Sequence, residues 1–301
     1  MALTDPEQLV ELAGSKSKQH LVAAWAVDEH SITAISRAVK RGVVDATIVG
    51  DEKIIEKVIL NNSIDAGTIS IVHKPDDTSA MEESVRLIGT QRGSLLMKGN
   101  LSTDKYMRAI LNKEKGLMEP GAVLSHVTAV KMPAYHKLLV IGDVAIIPLP
   151  DLKQKIAIAN YLIKTANALG ITKPKLAVIA ATEQVLPGMQ ACVDAAILSK
   201  MADRQQIRGA LVDGPLSLDL SINKEAVRIK GINSEVAGDA DCLLFPNIES
   251  GNVFYKMISQ TGSAGQAAIL VGARVPAVLS SRGDSTETKL YSIALAASLA
   301  G

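Results

Sequence analysis

The stretch "LVAAWAVDEHSITAISRAVKRGVVDATIVG", Leu21–Gly50, holds an apolar run of strand length (21–27), an amphipathic segment of helix length (30–41) and a second apolar run (46–50). Strand, helix and strand in that order form a βαβ unit, and such units build parallel sheets. The alternation continues beyond it. Strands are expected at "TISIVH" (68–73) and "SLLMKG" (94–99), with helices near 51–60, 77–90 and 103–112. A second series places strands at "KLLVIG" (137–142), "KLAVIA" (175–180), "IRGALV" (207–212) and "DCLLFP" (241–246), with helices near 151–168, 187–201 and 249–260. "AAILVG" (267–272) and "VPAVLS" (275–280) close the chain ahead of a last helix from about 285. The fold class is therefore α/β with mainly parallel sheets. No repeat, low-complexity tract or long linker interrupts it, and the proline in "KMPAYH" (131–136) marks the boundary between the two series.

The 301 residues can bury a large core and suffice for one large or two medium domains. With 32 basic against 31 acidic residues there is no field to gather nucleic acid or an anionic membrane, so a small soluble partner is expected. The start, "MALTDPEQLVEL", has acidic residues and no basic segment ahead of an apolar run, unlike a secretory signal. "LLVIGDVAIIPL" contains a charge and is too short to span a bilayer. A cytoplasmic location is the expectation. Cys192 and Cys242 lie in apolar neighbourhoods and read as buried thiols rather than a disulfide framework.

In "LSSRGDSTETKLYSIALAASLA" (279–300), Leu290, Ile293, Ala294 and Ala297 recur at helical spacing, so one helix face must pack. Asp284 with Glu287 three residues on reads as the N-terminal capping signature. Ser281, Arg282 and Gly283 then occupy the turn beyond the carboxyl end of a strand, where open α/β sheets form ligand crevices. A helix N-terminus beside a guanidinium suits phosphate, so Arg282 marks either an anion site or a surface arginine paired with a carboxylate. Three more junctions carry small polar residues. "VDGPLSLD" (212–219) leaves its strand through Asp-Gly-Pro around Gly214, and "FPNIESGNVFYK" (245–256) reaches its helix through Ser250, Gly251 and Asn252. "LMKGNLSTDKYMRAIL" (96–111) leaves through Lys98, Gly99 and Asn100, with Ser102 or Thr103 as N-cap.

The usual nucleotide fingerprints, G-x-x-x-x-G-K-[ST] and a G-x-G-x-x-G after a strand, do not occur, nor does H-E-x-x-H or Cys-x-x-Cys. Asp239 and Asp241 in "GDADC" read as a turn entering a strand, and no metal is expected. His30 and His73 read as structural or solvated. His126, in "LSHVTAV", stays open between burial and a role in a site.

"MADRQQIRGALVDGPLSLDLSINKEA", "EVAGDADCLLFPNIESGNVFYKM" and "LSSRGDSTETKLYSIALA", together with "LLMKGNLSTDKYMRAILNKEKGL" and "LSHVTAV", resemble the phosphate acetyl/butyryltransferase family over nearly the whole chain. The resemblance implies reversible acyl transfer, in which acyl-CoA and phosphate give acyl phosphate and CoA. Both are substrates, and no cofactor is implied. It also implies a fold similar to the isocitrate and isopropylmalate dehydrogenases, two α/β domains facing a cleft. The first domain would be 1–134 completed by 270–301 and the second 135–269, in a homo-oligomer with a dimer as minimal unit. Through the family motifs, Ser281 and Arg282 are expected to be catalytic. Arg108 would bind phosphate or CoA charge, and Gly214, Gly251, Asn252 and Gly283 would contact substrate. Two family positions differ. The carboxylate that some acetyl-type members carry after the arginine falls on Thr288, and a further arginine falls at or near His126. The base is then Asp284, Glu287 or no side chain at all. The "DSTETK" string resembles the butyryl-type branch, the alternatives being acetyl transfer and a non-catalytic two-lobed anion-binding protein.

Overall fold

The structure is a computed structural model and describes residues 3–67, 69–261, 265–281 and 283–300. The chain opens with α1 (Pro6–Gly14), β1 (Gln19–Ala24), α2 (Glu29–Lys40), β2 (Val44–Gly50), α3 (Glu52–Asn61), β3 (Ser70–His73), α4 (Asp77–Gly89), β4 (Leu95–Lys98) and α5 (Thr103–Leu111). It continues with β5 (Ser125–Val130), β6 (Leu139–Gly142), α6 (Leu152–Ala168), β7 (Lys175–Ile179), α7 (Gln190–Asp203) and β8 (Leu211–Leu216). Then come α8 (Leu218–Ile222), α9 (Lys224–Lys230), β9 (Cys242–Leu244) and α10 (Ile248–Thr261). β10 (Gln266–Val271), β11 (Ala277–Val278) and α11 (Thr286–Ala300) complete it. Many helices begin where the sequence supplies an acceptor for their first free N–H groups. Asp28, Asp51, Asp76 and Ser102 cap α2 to α5 in this way, and Asp151 with Gln154 forms a full capping box on α6.

Two compact units result, one from the described residues within Pro6–Leu124 and Gly265–Gly301, the other from those within Met1–Asp5 and Ser125–Ala264. In the first unit the strand order is β3-β2-β1-β4-β11-β10. Its strands run parallel except for the antiparallel β10–β11 pair. The second unit runs β5-β6-β9-β7-β8, parallel apart from β5–β6. Both are α/β. The 131–136 stretch, where the sequence suggests the division, links β5 to β6 within one unit, and the units part after Leu124.

The core of the first unit gathers Leu21, Val22, Ile48, Leu95, Leu96 and Met97 from its strands, all fully buried. Tyr106 of α5, also buried, donates its hydroxyl hydrogen to the carbonyl of Val278 at 3.2 Å, which ties α5 to β11. The core of the second unit includes Leu139, Ile141, Leu243, Phe245 and Phe254, with the two phenyl rings 5.3 Å apart. Each such side chain contributes about 1.5–3 kcal/mol by leaving water.

Three local expectations are corrected. β8 does not end ahead of Asp213-Gly214-Pro215 but runs through them, because Gly214 has no Cβ to strike β7 and α7. A Cβ there would lie 2.8 Å from the Val178 carbonyl and 3.1 Å from Ala195 Cβ. α11 is buried nearly all round, from Leu290 through Leu299 with Tyr291 half-buried, rather than on one face. Its cap is Ser285 and not Asp284, since the Ser285 hydroxyl accepts from Thr288 N at 3.2 Å. α1, α8 and α9 have no counterpart among the expected elements.

Candidate active site

The turn between β11 and α11 stands at the carboxyl end of its strand. Arg282 lies outside the described residues, and its neighbours define the turn. Ser281 is exposed, and its N–H donates to the Asp284 carboxylate at 2.7 Å. Its carbonyl accepts from Asp284 N at 3.2 Å and from the Lys289 ammonium at 3.0 Å, while its hydroxyl accepts from Gly283 N at 3.4 Å. A Cβ on Gly283 would meet no atom within 4 Å, so open space adjoins the backbone there.

Two further strand ends lie in the same sheet beside this turn. β4, the parallel neighbour of β11, ends at Lys98, and the chain leaves through Gly99 and Asn100. Gly99 is required by close approach, because a Cβ would stand 2.4 Å from the Trp25 carbonyl and 2.5 Å from the Ala26 backbone. Trp25 follows β1 with a φ of 52°, a left-handed conformation uncommon for a bulky residue, and its carbonyl accepts from Asn100 N at 2.8 Å. α2 reaches the start of α11 from there. His30 Nδ1 and the Thr286 hydroxyl are 3.1 Å apart, and Arg37 pairs with Glu287 at 2.9 Å.

That pairing bears on the base. Arg37 holds the Glu287 carboxyl below the usual range, which weakens it as a proton acceptor. Asp284 already accepts from Ser281 N. Thr288 uses its hydroxyl as an acceptor for Ser285 at 3.3 Å. Arg108 stands on the last turn of α5, exposed, with its guanidinium 3.1 Å from Asp104. Such a surface pair is weak, about 0.3–0.5 kcal/mol, and leaves the side chain available.

Gly214, Gly251 and Asn252 belong to the other unit. Gly251 lets α10 press on the loop after β6, where a Cβ would come 2.6 Å from the Asp143 carbonyl, and Asn252 donates to the Val144 carbonyl at 2.9 Å. The loop is organised by Asp143, which is buried. One carboxylate oxygen accepts from Ala145 N (2.8 Å) and Ile146 N (2.9 Å), the other from the Ser125 hydroxyl (3.0 Å), His126 N (3.3 Å) and Ile147 N (3.3 Å). His126 itself is buried on β5, with Nδ1 3.2 Å from the Thr128 hydroxyl and its ring edge-on to Tyr255. Burial brings the imidazole down to about 4, against the opposing attraction of Asp143. It is neutral at physiological pH and cannot supply the charge of an arginine.

Both cysteines are fully buried, and burial pushes the Cys242 thiol well up, away from nucleophilic use. Asp239 and Asp241 are held by lysines, Asp239 by Lys175 at 2.7 Å and Asp241 by Lys137 at 2.6 Å. Two residues that shape these loops escaped the sequence reading, Asp143 and Lys289, while Lys98 was read only as the exit of its strand. Lys289 left a trace, since it shares helical spacing with buried Ile293 and Ala296.

The family described as "Phosphate acetyl/butaryl transferase" matches residues 86–297. A phosphate butyryltransferase of Clostridium acetobutylicum is 43% identical over 294 residues, covering 98% of this chain and 97% of the relative. A phosphate acetyltransferase of Thermotoga maritima is 38% identical over 97% of this chain and 98% of its own. The crystal structure of a branched-chain phosphotransacylase from Enterococcus faecalis superposes with a TM-score of 0.80 at 30% identity, covering 94% of this chain and 99% of the other.

Proposed function

This chain belongs to the phosphate acetyl/butyryl transferase family, and on that premise we propose that it moves an acyl group, butanoyl above all, reversibly between CoA and inorganic phosphate. Butanoyl-CoA and phosphate give butanoyl phosphate and CoA. The observation that carries this reading is the turn after β11, where an exposed serine stands beside open backbone ahead of a helix N-terminus.

A phosphate oxygen attacks the thioester carbonyl carbon, the tetrahedral intermediate collapses, the C–S bond breaks and CoA leaves as thiolate. Arg282 holds the phosphate or the tetrahedral oxygen, where a preorganised donor lowers the barrier most. Ser281 donates its hydroxyl hydrogen to the departing sulfur or the attacking oxygen. Arg108 meets charge on phosphate or CoA, Asn252 contacts substrate, and Gly283, with open space beside it, admits substrate to the backbone, whereas the space at Gly214 and Gly251 is taken by the chain's own packing. No dedicated base is needed in the direction of CoA acylation: a thiol with a pKa of about 8.5 is a few per cent ionised at neutral pH. The lowered Glu287 carboxyl and the engaged Asp284 support that choice. No metal, bound cofactor or acyl-enzyme takes part. The protein works in the cytoplasm as a homo-oligomer, with a dimer as the smallest unit. Among the described residues no helix is long and apolar enough to cross a membrane.

The Thermotoga relative favours acetyl transfer as the second reading. Phosphate-dependent release of free CoA, followed with acetyl-, butanoyl- and branched acyl-CoA, separates the two. The highest kcat/KM is expected with butanoyl-CoA. A maximum at acetyl-CoA makes the chain an acetyltransferase, and no release with any thioester removes the proposal.

A further inference from the structure

Lys289 is in the first turn of α11 and only 3% exposed. Both placements are unfavourable for a cation. Removing an ammonium from water is costly, and a helix N-terminus repels positive charge. On its own helix it faces the apolar Ile293 and Ala296 together with the buried hydroxyl of Ser292, and no acidic side chain. Among the described residues no carboxylate lies within ion-pair distance of its Nζ; burial pulls its pKa down, and only Asp28 and Asp284 act to hold it up. Where a sequence keeps a residue against its local energetics, function is the usual reason.

The ammonium reaches back over the end of β11. It donates to the Ser281 carbonyl at 3.0 Å and to the buried Ser280 hydroxyl at 3.4 Å. Ser280 in turn donates to the carbonyl of Lys98, at 3.4 Å, so the grip extends to the end of β4. Ser281 is thereby fastened at both ends of its backbone. Asp284 takes the N–H and Lys289 takes the carbonyl. With both fixed, the direction of its Cα–Cβ bond is fixed, which leaves the hydroxyl only the staggered positions about one torsion, one of them facing Gly283 N at 3.4 Å.

We propose that Lys289 is a positioning residue for acyl transfer, whose buried ammonium clamps the Ser280–Ser281 segment and sets the Ser281 hydroxyl against the reacting groups. This rests on the acyl-transfer reading above. A misplacement of about 1 Å in such a group can lower a rate about a hundredfold, which gives the clamp its leverage.

The test compares wild type with Lys289→Met, which keeps length and removes charge, and with Lys289→Gln, which keeps a donor. Circular dichroism and thermal melting report the fold, steady-state kinetics in both directions report kcat and KM, and amide hydrogen exchange reports the 279–285 segment. In Lys289→Met the melting temperature stays level or rises. kcat falls at least about tenfold in both directions while KM for acyl-CoA moves less than about threefold, and exchange across 279–285 quickens. Lys289→Gln recovers part of kcat. A merely structural lysine would shift melting without separating kcat from KM. Near-normal kcat with unchanged exchange in a folded Lys289→Met overturns the proposal, as does loss of the fold in both variants. If wild type releases no CoA from any thioester, the functional reading fails instead, and the exchange measurement alone decides whether Lys289 holds the turn.

Discussion

Replacing Asp143 by Asn changes one atom and tests the hub of the loop after β6. The carboxylate is buried and offers two oxygens to five donors, Ala145 N and Ile146 N on one, Ser125 Oγ, His126 N and Ile147 N on the other. An amide has a single oxygen. Its best placement keeps that oxygen on the two short contacts of 2.8 and 2.9 Å and turns its NH2 toward the remaining three donors. The Ser125 hydroxyl can rotate to accept, but the His126 and Ile147 N–H groups then face a donor. A stranded buried donor costs about 1–3 kcal/mol, at the low end for His126 N because its contact was long at 3.3 Å, and less for the half-buried Ile147 N–H, which water can reach. The two surviving bonds lose the strength that charge gave them, about 1 kcal/mol together, and the relief from no longer burying a carboxylate offsets part of the sum. A loss of about 2–3 kcal/mol follows for the unit formed around 125–264. Urea unfolding followed by far-UV circular dichroism at neutral pH reads it as a lower midpoint at unchanged slope, with emission from Trp25 as an internal reference in the other unit. A loss under about 0.5 kcal/mol would show that the carboxylate does not organise this loop.

Arg282→Lys should retain charge yet lose the planar two-point contact, with activity down more than about tenfold, or roughly 1.4 kcal/mol. Near-normal turnover in the folded variant would remove Arg282 from the reaction. Replacing Cys192 and Cys242 together by Ala should leave turnover intact, since both are buried and the direct transfer proposed above uses no enzyme thiol; mass spectrometry finding an acyl group on either thiol would contradict direct transfer. Burial raises the Asp239 carboxyl, but hydrogen bonds and attraction from Lys175 and Lys137 outweigh it and bring it to about 2 from an ordinary 3.8. A carboxylate lowered in the folded state stabilises above its unfolded pKa and loses that contribution as pH falls through the folded value. Asp239→Asn should therefore be less stable by about 1–2 kcal/mol at neutral pH, the gap closing between about pH 4 and pH 2. A gap that persists at pH 2 would assign the effect to something other than this charge.

The βα alternation is legible because parallel strands buried on both faces print themselves as apolar runs, and β1, β2, β4 and β7 fall where those runs lie. Legibility ends where a partner distant in sequence decides. Nothing local tells that β8 continues through Gly214 and Pro215, since the reason is Val178 and Ala195 across the packing. Asp284 carries the capping pattern, yet Ser281 N claims its carboxylate and Ser285 caps the helix. The turn bearing Ser281 was readable as the end of a strand meeting a helix. The groups that brace it were not: Lys289 looks in sequence like an ordinary charged residue, and the Lys98 contact, made to Ser280 by a backbone carbonyl, leaves no mark on side-chain identity. His126 could be placed in a strand but not judged neutral without its burial and Asp143.

The position of β11 between β4 and β10 has a consequence for how the protein is made. A chain emerging from a ribosome delivers residues 6–124 before 265–301, with β4 paired to β1 on one side and its other edge bare. Everything from 125 to 264 must follow before β11 arrives to cover that edge and α11 to bury the sheet behind it. The middle of the chain can therefore mature while the beginning still waits. An exposed strand edge is a template for unwanted pairing. The interval before the last residues arrive is thus the period in which a nascent chain most needs protection, and the turn carrying Ser281 takes shape only when that interval closes.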